Sequence, residues 1–68
     1  MGNNITDFEL GMWHCIQILI KERDEWGARV LIQNSNFSLD FQKRLQNAEG
    51  NSFQEDVERF WEIEYKNQ

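Results

Sequence analysis

The sequence predicts an all-α domain: one long N-terminal helix with two shorter helices folded back along it. Three observations lead there. Between Thr6 and Asn34, at about 100° per residue, Phe8, Met12, Cys15, Ile16, Leu19, Ile20, Trp26 and Val30 share one broad apolar face, whereas Gln17, Lys21, Asp24, Glu25 and Arg29 lie elsewhere. Beyond Asn34, helix-start and helix-stop residues bracket two further amphipathic segments. Their lengths also match, since helices of about 11 and about 14 residues laid end to end equal a first helix of about 40 Å.

The first helix opens on Thr6, whose hydroxyl and the Glu9 carboxylate have the spacing of a capping box. Asp7 and Glu9 suit the positive end of the helix dipole. The charged run Lys21 to Gly27 is the ambiguous stretch, because glycine costs roughly 1 kcal/mol inside a helix. Trp26 and Val30 return to the first face, and Glu25 precedes Arg29 by four residues, the favourable order for an ion pair. Continuation is therefore expected, with a break near Gly27 as a variant. A hairpin of Cys15–Lys21 with Ala28–Gln33 is the competing assignment, since both runs are rich in β-branched residues. Neither alternates cleanly, and the connection is longer than favoured hairpin loops.

Asn34-Ser35-Asn36 reads as a turn. Ser38 then caps a second helix with Phe37, Phe41, Leu45 and Ala48 on its apolar strip and Lys43 and Arg44 toward water, and Gly50 ends it. Ser52 and Glu55 have capping-box spacing for a third helix, running to about Lys66, with Phe53, Val57, Phe60, Trp61 and Ile63 inward.

At 68 residues there is room for one domain, residues 1–68, with residues 1–5 a flexible start. A chain this short buries only about 60% of the surface its unfolded form exposes. With one cysteine, no internal disulfide can staple it, and nine aromatic residues are a heavy load for so small a core. Association with a second copy, most simply a two-fold dimer, is the remaining device. The net charge of −5 excludes the basic footprint that nucleic-acid binding requires. Apolar runs fall far short of the roughly 20 residues that span a bilayer. No secretory signal opens the chain, and a lone thiol fits a reducing cytoplasmic setting. Gly2 and Thr6 match the myristoylation pattern, but no polybasic second signal accompanies them. Asn4 and Asn36 begin incidental Asn-x-Ser/Thr matches.

Candidates for chemistry are few. His14 and Cys15 are adjacent and so point about 100° apart on a helix, with Cys15 in the apolar stripe as a small buried hydrophobe and His14 on the opposite side. No His or Cys recurs at metal-ligand spacing, and the four glycines stand too far apart for a phosphate loop. No cofactor or metal is expected, nor enzymatic activity. Glu55, Glu58 and Glu62 line one side of the third helix, with Glu55–Arg59 and Glu62–Lys66 at ion-pair spacing.

The expected function is thus a small, acidic protein–protein interaction or regulatory module, acting as a homodimer on an unidentified protein partner through an apolar helical surface. Its contact residues would be Leu10, Trp13, Ile18, Trp26, Val30, Ile32 and Trp61; Leu10, Ile18 and Ile32 project away from the main face of a continuous first helix. The alternative is an acidic inhibitor that places Glu55, Glu58 and Glu62 in the basic groove of a partner, as nucleic acid would.

Overall fold

Thr6 and Glu9 begin the first helix as their spacing requires: the Glu9 amide donates to Thr6 Oγ1 at 3.1 Å and the Thr6 amide to Glu9 Oε1 at 2.9 Å. In the computed structural model, which describes residues 4–66, this helix is α1 (Asp7–Lys21), followed by α2 (Glu25–Ser35), α3 (Leu39–Glu49) and α4 (Gln54–Tyr65). No strand occurs among the described residues, so the hairpin assignment of residues 15–33 is overturned. The myristoylation-pattern match at Gly2 lies outside the described residues. So does most of the expected flexible start, although Ile5 packs against the core.

The single long helix is corrected to two. Helix α1 closes with Arg23 in the left-handed region, at φ 66°. The Asp24 amide donates to Leu19 O at 2.8 Å and the Arg23 amide to Ile20 O at 3.0 Å, the paired bonds of a Schellman ending. Asp24 then caps α2, its Oδ1 accepting from the Gly27 amide at 3.0 Å. The break thus falls three residues before Gly27, and the glycine serves the cap: a Cβ there would stand 2.6 Å from Asp24 Oδ2. A continuous helix of about 40 Å would also overrun the longest dimension of the molecule, 31 Å.

Helix α3 starts at Ser38, whose Oγ accepts from the Phe41 amide at 3.1 Å, and ends on Gly50 at φ 104°, both as expected. The Ser52–Glu55 capping box does not form. Phe53 occupies the cap position of α4 at φ 54° with no side-chain cap, because the Ser52 peptide is bonded elsewhere.

Helix α1 is the hub, and α2, α3 and α4 each pack against it. The buried apolar residues are Trp13, Ile16, Ile20, Ala28, Ile32, Phe37, Leu45, Val57 and Phe60. This rotates the inward side of α1 away from the predicted face: Phe8 and Cys15 are exposed, Met12 and Leu19 half-buried, and Trp13 and Gln17 fully buried. Likewise Ala48 and Ile63, expected inward, are exposed. Breaking the helix resets the angular phase after Lys21, which is why Ile32 enters the core and Trp26 leaves it.

Candidate functional site

The inward side of α1 is built around two tryptophans and three glutamines. Trp13 and Trp61 stack with ring centroids 6.3 Å apart and planes inclined by 21°. Each indole N–H needs an acceptor once out of water. Trp13 Nε1 donates to Gln46 Oε1, and Trp61 Nε1 to Gln42 Oε1, both at 2.9 Å. Gln42 and Gln46, one turn apart on α3, are both buried, so each must satisfy its own amide too. Gln42 Nε2 donates to Phe37 O and Tyr65 Oη, while Gln46 Nε2 donates to Ser52 O and Gln54 Oε1. From α1, buried Gln17 donates to Gln46 Oε1 at 2.7 Å and to Glu49 Oε1 at 3.0 Å. The set closes on itself, for no buried side-chain polar atom among the described residues lacks a partner. Chemically it is a structural joint between α1, α3 and α4, with no donor or acceptor left aimed at a ligand.

Glu49 edges this joint. Burial opposes its charge, but hydrogen bonds from Gln17 and Ser52, together with His14 nearby, outweigh that cost and hold its carboxyl below the ordinary value. His14 Nδ1 lies 3.3 Å from Gln17 Oε1 and 3.9 Å from Glu49 Oε2. Cys15 is exposed on another side of α1, which corrects its expected burial and leaves the two neighbours unable to form a dyad. No group of three or more His, Cys, Asp or Glu side chains is placed to hold a metal ion among the described residues. A groove of about 660 Å³ opens between α3 and α4 over Trp61, Gln46 and Tyr65. Lys43, Lys66, Glu58 and Glu62 line it with charges of both signs, and its floor belongs to the closed glutamine joint.

The outward side of α1 is different in kind. Phe8 is 73% exposed and Ile18 42% exposed, with Gly11 and Cys15 exposed beside them and half-buried Met12 and Leu19 completing the strip. At about 100° per residue these six positions span a third of the helix circumference, and none is charged. Trp26, 70% exposed in the first turn of α2, and Ile63, 54% exposed on α4, are further apolar groups in solvent.

The expected contact residues therefore separate. Ile18 and Trp26 are exposed, Leu10, Val30 and Trp61 are half-buried, and Trp13 and Ile32 are core. Leu10 packs against the core, which corrects its outward projection. Glu55, Glu58 and Glu62 share an exposed ridge of α4. Their expected ion pairs do not form: Arg59 bonds Asp56 at 2.9 Å and Arg29 bonds Glu64 through two hydrogen bonds at 2.9 and 2.6 Å, so Glu25–Arg29, Glu55–Arg59 and Glu62–Lys66 are all unmade. The Arg29–Glu64 fork instead ties α2 to α4, and the hydrogen bond raises the Arg29 pKa.

Sequence reasoning missed Gln17, Gln42 and Gln46 because glutamine reads as a solvent-facing residue. The available signal was chemical: two tryptophans destined for a small core require two acceptors, and Gln17 stands one turn from Trp13 on α1. Comparison of the chain with protein-family models, with curated proteins and with solved structures gives no match.

Proposed function

We propose that this chain is a small non-enzymatic protein-interaction module, regulatory in role, cytoplasmic, and homodimeric, whose contact surface is the outward side of α1. One observation carries the reading. Phe8, Gly11, Cys15 and Ile18 form an uncharged exposed strip on α1, flanked by Met12 and Leu19, which are half-buried and pack against the core, while a mixed Trp/Gln side faces inward. Isolated exposed apolar residues are ordinary on proteins, but a contiguous strip marks a contact surface. Trp26 is a second anchor of the residue type most enriched at binding hot spots. That no helix among the described residues is long and apolar enough to cross a membrane is compatible with this setting.

The experiment is quantitative affinity capture from cells producing the protein, comparing the wild type with Phe8→Lys/Ile18→Asp and with Glu55→Gln/Glu58→Gln/Glu62→Gln. The reading expects bound proteins to be lost with the first variant, kept with the second, and retained at high salt. An unchanged set with the first variant sinks it. The acidic-inhibitor alternative is favoured by one observation, that Glu55 and Glu62 have no ion-pair partner among the described residues; it expects the reverse pattern, with binding abolished by the glutamine variant and by salt.

A further inference from the structure

We infer that His14, Gln17 and Glu49 form a proton-dependent latch between α1 and α3, tight while both nitrogens of the His14 ring carry protons and loosened when the ring becomes neutral. The inference is independent of the contact surface proposed above. Three observations carry it, and the first fixes which way Gln17 points. Its Nε2 has three acceptors in reach: Gln46 Oε1 at 2.7 Å, Glu49 Oε1 at 3.0 Å and Ser52 O at 3.3 Å. A flipped amide would set its oxygen against those three oxygens. Gln17 Oε1 is therefore aimed at His14 Nδ1, 3.3 Å away. An amide oxygen only accepts, so this contact holds only while Nδ1 carries a proton.

The second observation is charge. Glu49 Oε2 lies 3.9 Å from the same ring nitrogen, while Glu49 Oε1 is engaged by Gln17 and the Ser52 amide. A charged ring attracts the carboxylate and always presents an Nδ1–H to Gln17. A neutral ring has no charge to offer Glu49, and with its proton on Nε2 it turns a lone pair toward Gln17 Oε1. The His14 side chain is 53% exposed, against 17% for Glu49, so a loosened ring can turn to water without opening the core. The third observation is isolation. One turn to either side on α1 stand Leu10, Gly11, Gln17 and Ile18, all uncharged. Glu49 faces the ring from α3, and neither α2 nor α4 sets a carboxylate within ion-pair distance of it among the described residues. His14 is the one histidine of the chain, and histidine is the side chain whose charge ordinarily changes between about pH 5 and 8. The Glu49 carboxyl, held below its ordinary value of 4.5, stays charged across that range.

The test is a double-mutant cycle on the full chain, with His14→Gln and Glu49→Gln made singly and together and read by urea melts at about pH 5.5 and about pH 8.5. The pair is partly exposed, so the expected coupling at the lower pH is that of a solvated ion pair, about two- to fivefold in the ratio of folded to unfolded protein. None is expected at the higher pH. Coupling that is absent in the acid series, or that persists unchanged in the alkaline one, overturns the latch. A second measurement needs no Glu49 variant: the side-chain amide signals of Gln17 are followed by NMR as pH is raised. They should pass through one transition between about pH 5 and 8 in the wild type and stay flat in His14→Gln. Signals that are flat in the wild type, or that move equally in His14→Gln, overturn it.

Discussion

The two sides of α1 are made from opposite materials and face opposite ways to what their polarity suggests. Inward are Trp13, Ile16, Gln17 and Ile20; outward are Phe8, Cys15 and Ile18, with Met12 and Leu19 half-buried against the core between the two sides. The buried side holds a fully polar residue, and the solvated side holds none that is charged. Hydrophobic burial is non-directional and accepts either arrangement of similar area, so what separates the two sides is complementarity. Trp13 finds the Trp61 ring and the Gln46 carbonyl, and Gln17 finds Gln46 and Glu49. Phe8 is 73% exposed.

The sharpest way to break this comparison is on the inward side. Trp13→Ala should cost about 3–5 kcal/mol, as large-to-small core changes do. A chain of this length has roughly 3–10 kcal/mol in all, so urea melts should show it largely unfolded in buffer. Next comes Gln46→Leu, which keeps the volume but strands the Trp13 N–H and one Gln17 bond; about 2–3 kcal/mol should be lost by the same measurement. A neutral outcome would mean the glutamine joint is dispensable and apolar contact alone selects the inward side.

Smaller effects test what sets the faces. Asp24→Ala removes the cap that turns α2 away from α1 and should cost about 1 kcal/mol, read as a lower thermal midpoint. Glu49 links the joint to pH. Its folded pKa lies below the unfolded 4.5, so its contribution is present above pH 4.5 and is lost as pH falls through the folded value. The stability difference between the wild type and Glu49→Gln should therefore shrink steadily in acid, and a constant difference would show that the carboxylate charge is not involved. Last, Phe8→Lys should leave stability within about 0.5 kcal/mol of the wild type while removing association. A large destabilisation by this variant would mean that the outward side supports the fold.

The start of α1 at Thr6, the span of α3 from Ser38 to Gly50, and the inward Val57, Phe60 and Leu45 were legible in the sequence because each is fixed within one or two turns of chain. Side-chain caps, a left-handed glycine and short apolar periodicity need no distant partner. All-helical character was an equally local reading. Of the expected contact residues, Ile18, Trp26, Glu55, Glu58 and Glu62 are exposed.

Tertiary structure alone decided the rest. Arg23 occupies a left-handed position that usually signals glycine or asparagine, so nothing in the residue type announced that α1 ends there. Which of two apolar sides of α1 turns inward depended on acceptors supplied from α3, more than two dozen residues away. Ser52 gave up its cap because its peptide was wanted by Gln17, Gln46 and Glu49, and Arg29 left Glu25 for Glu64 on another helix. The physical reason is common to all of these. Local bonds compete only with water, whereas a buried amide or indole must find its partner wherever the packed chain brings one.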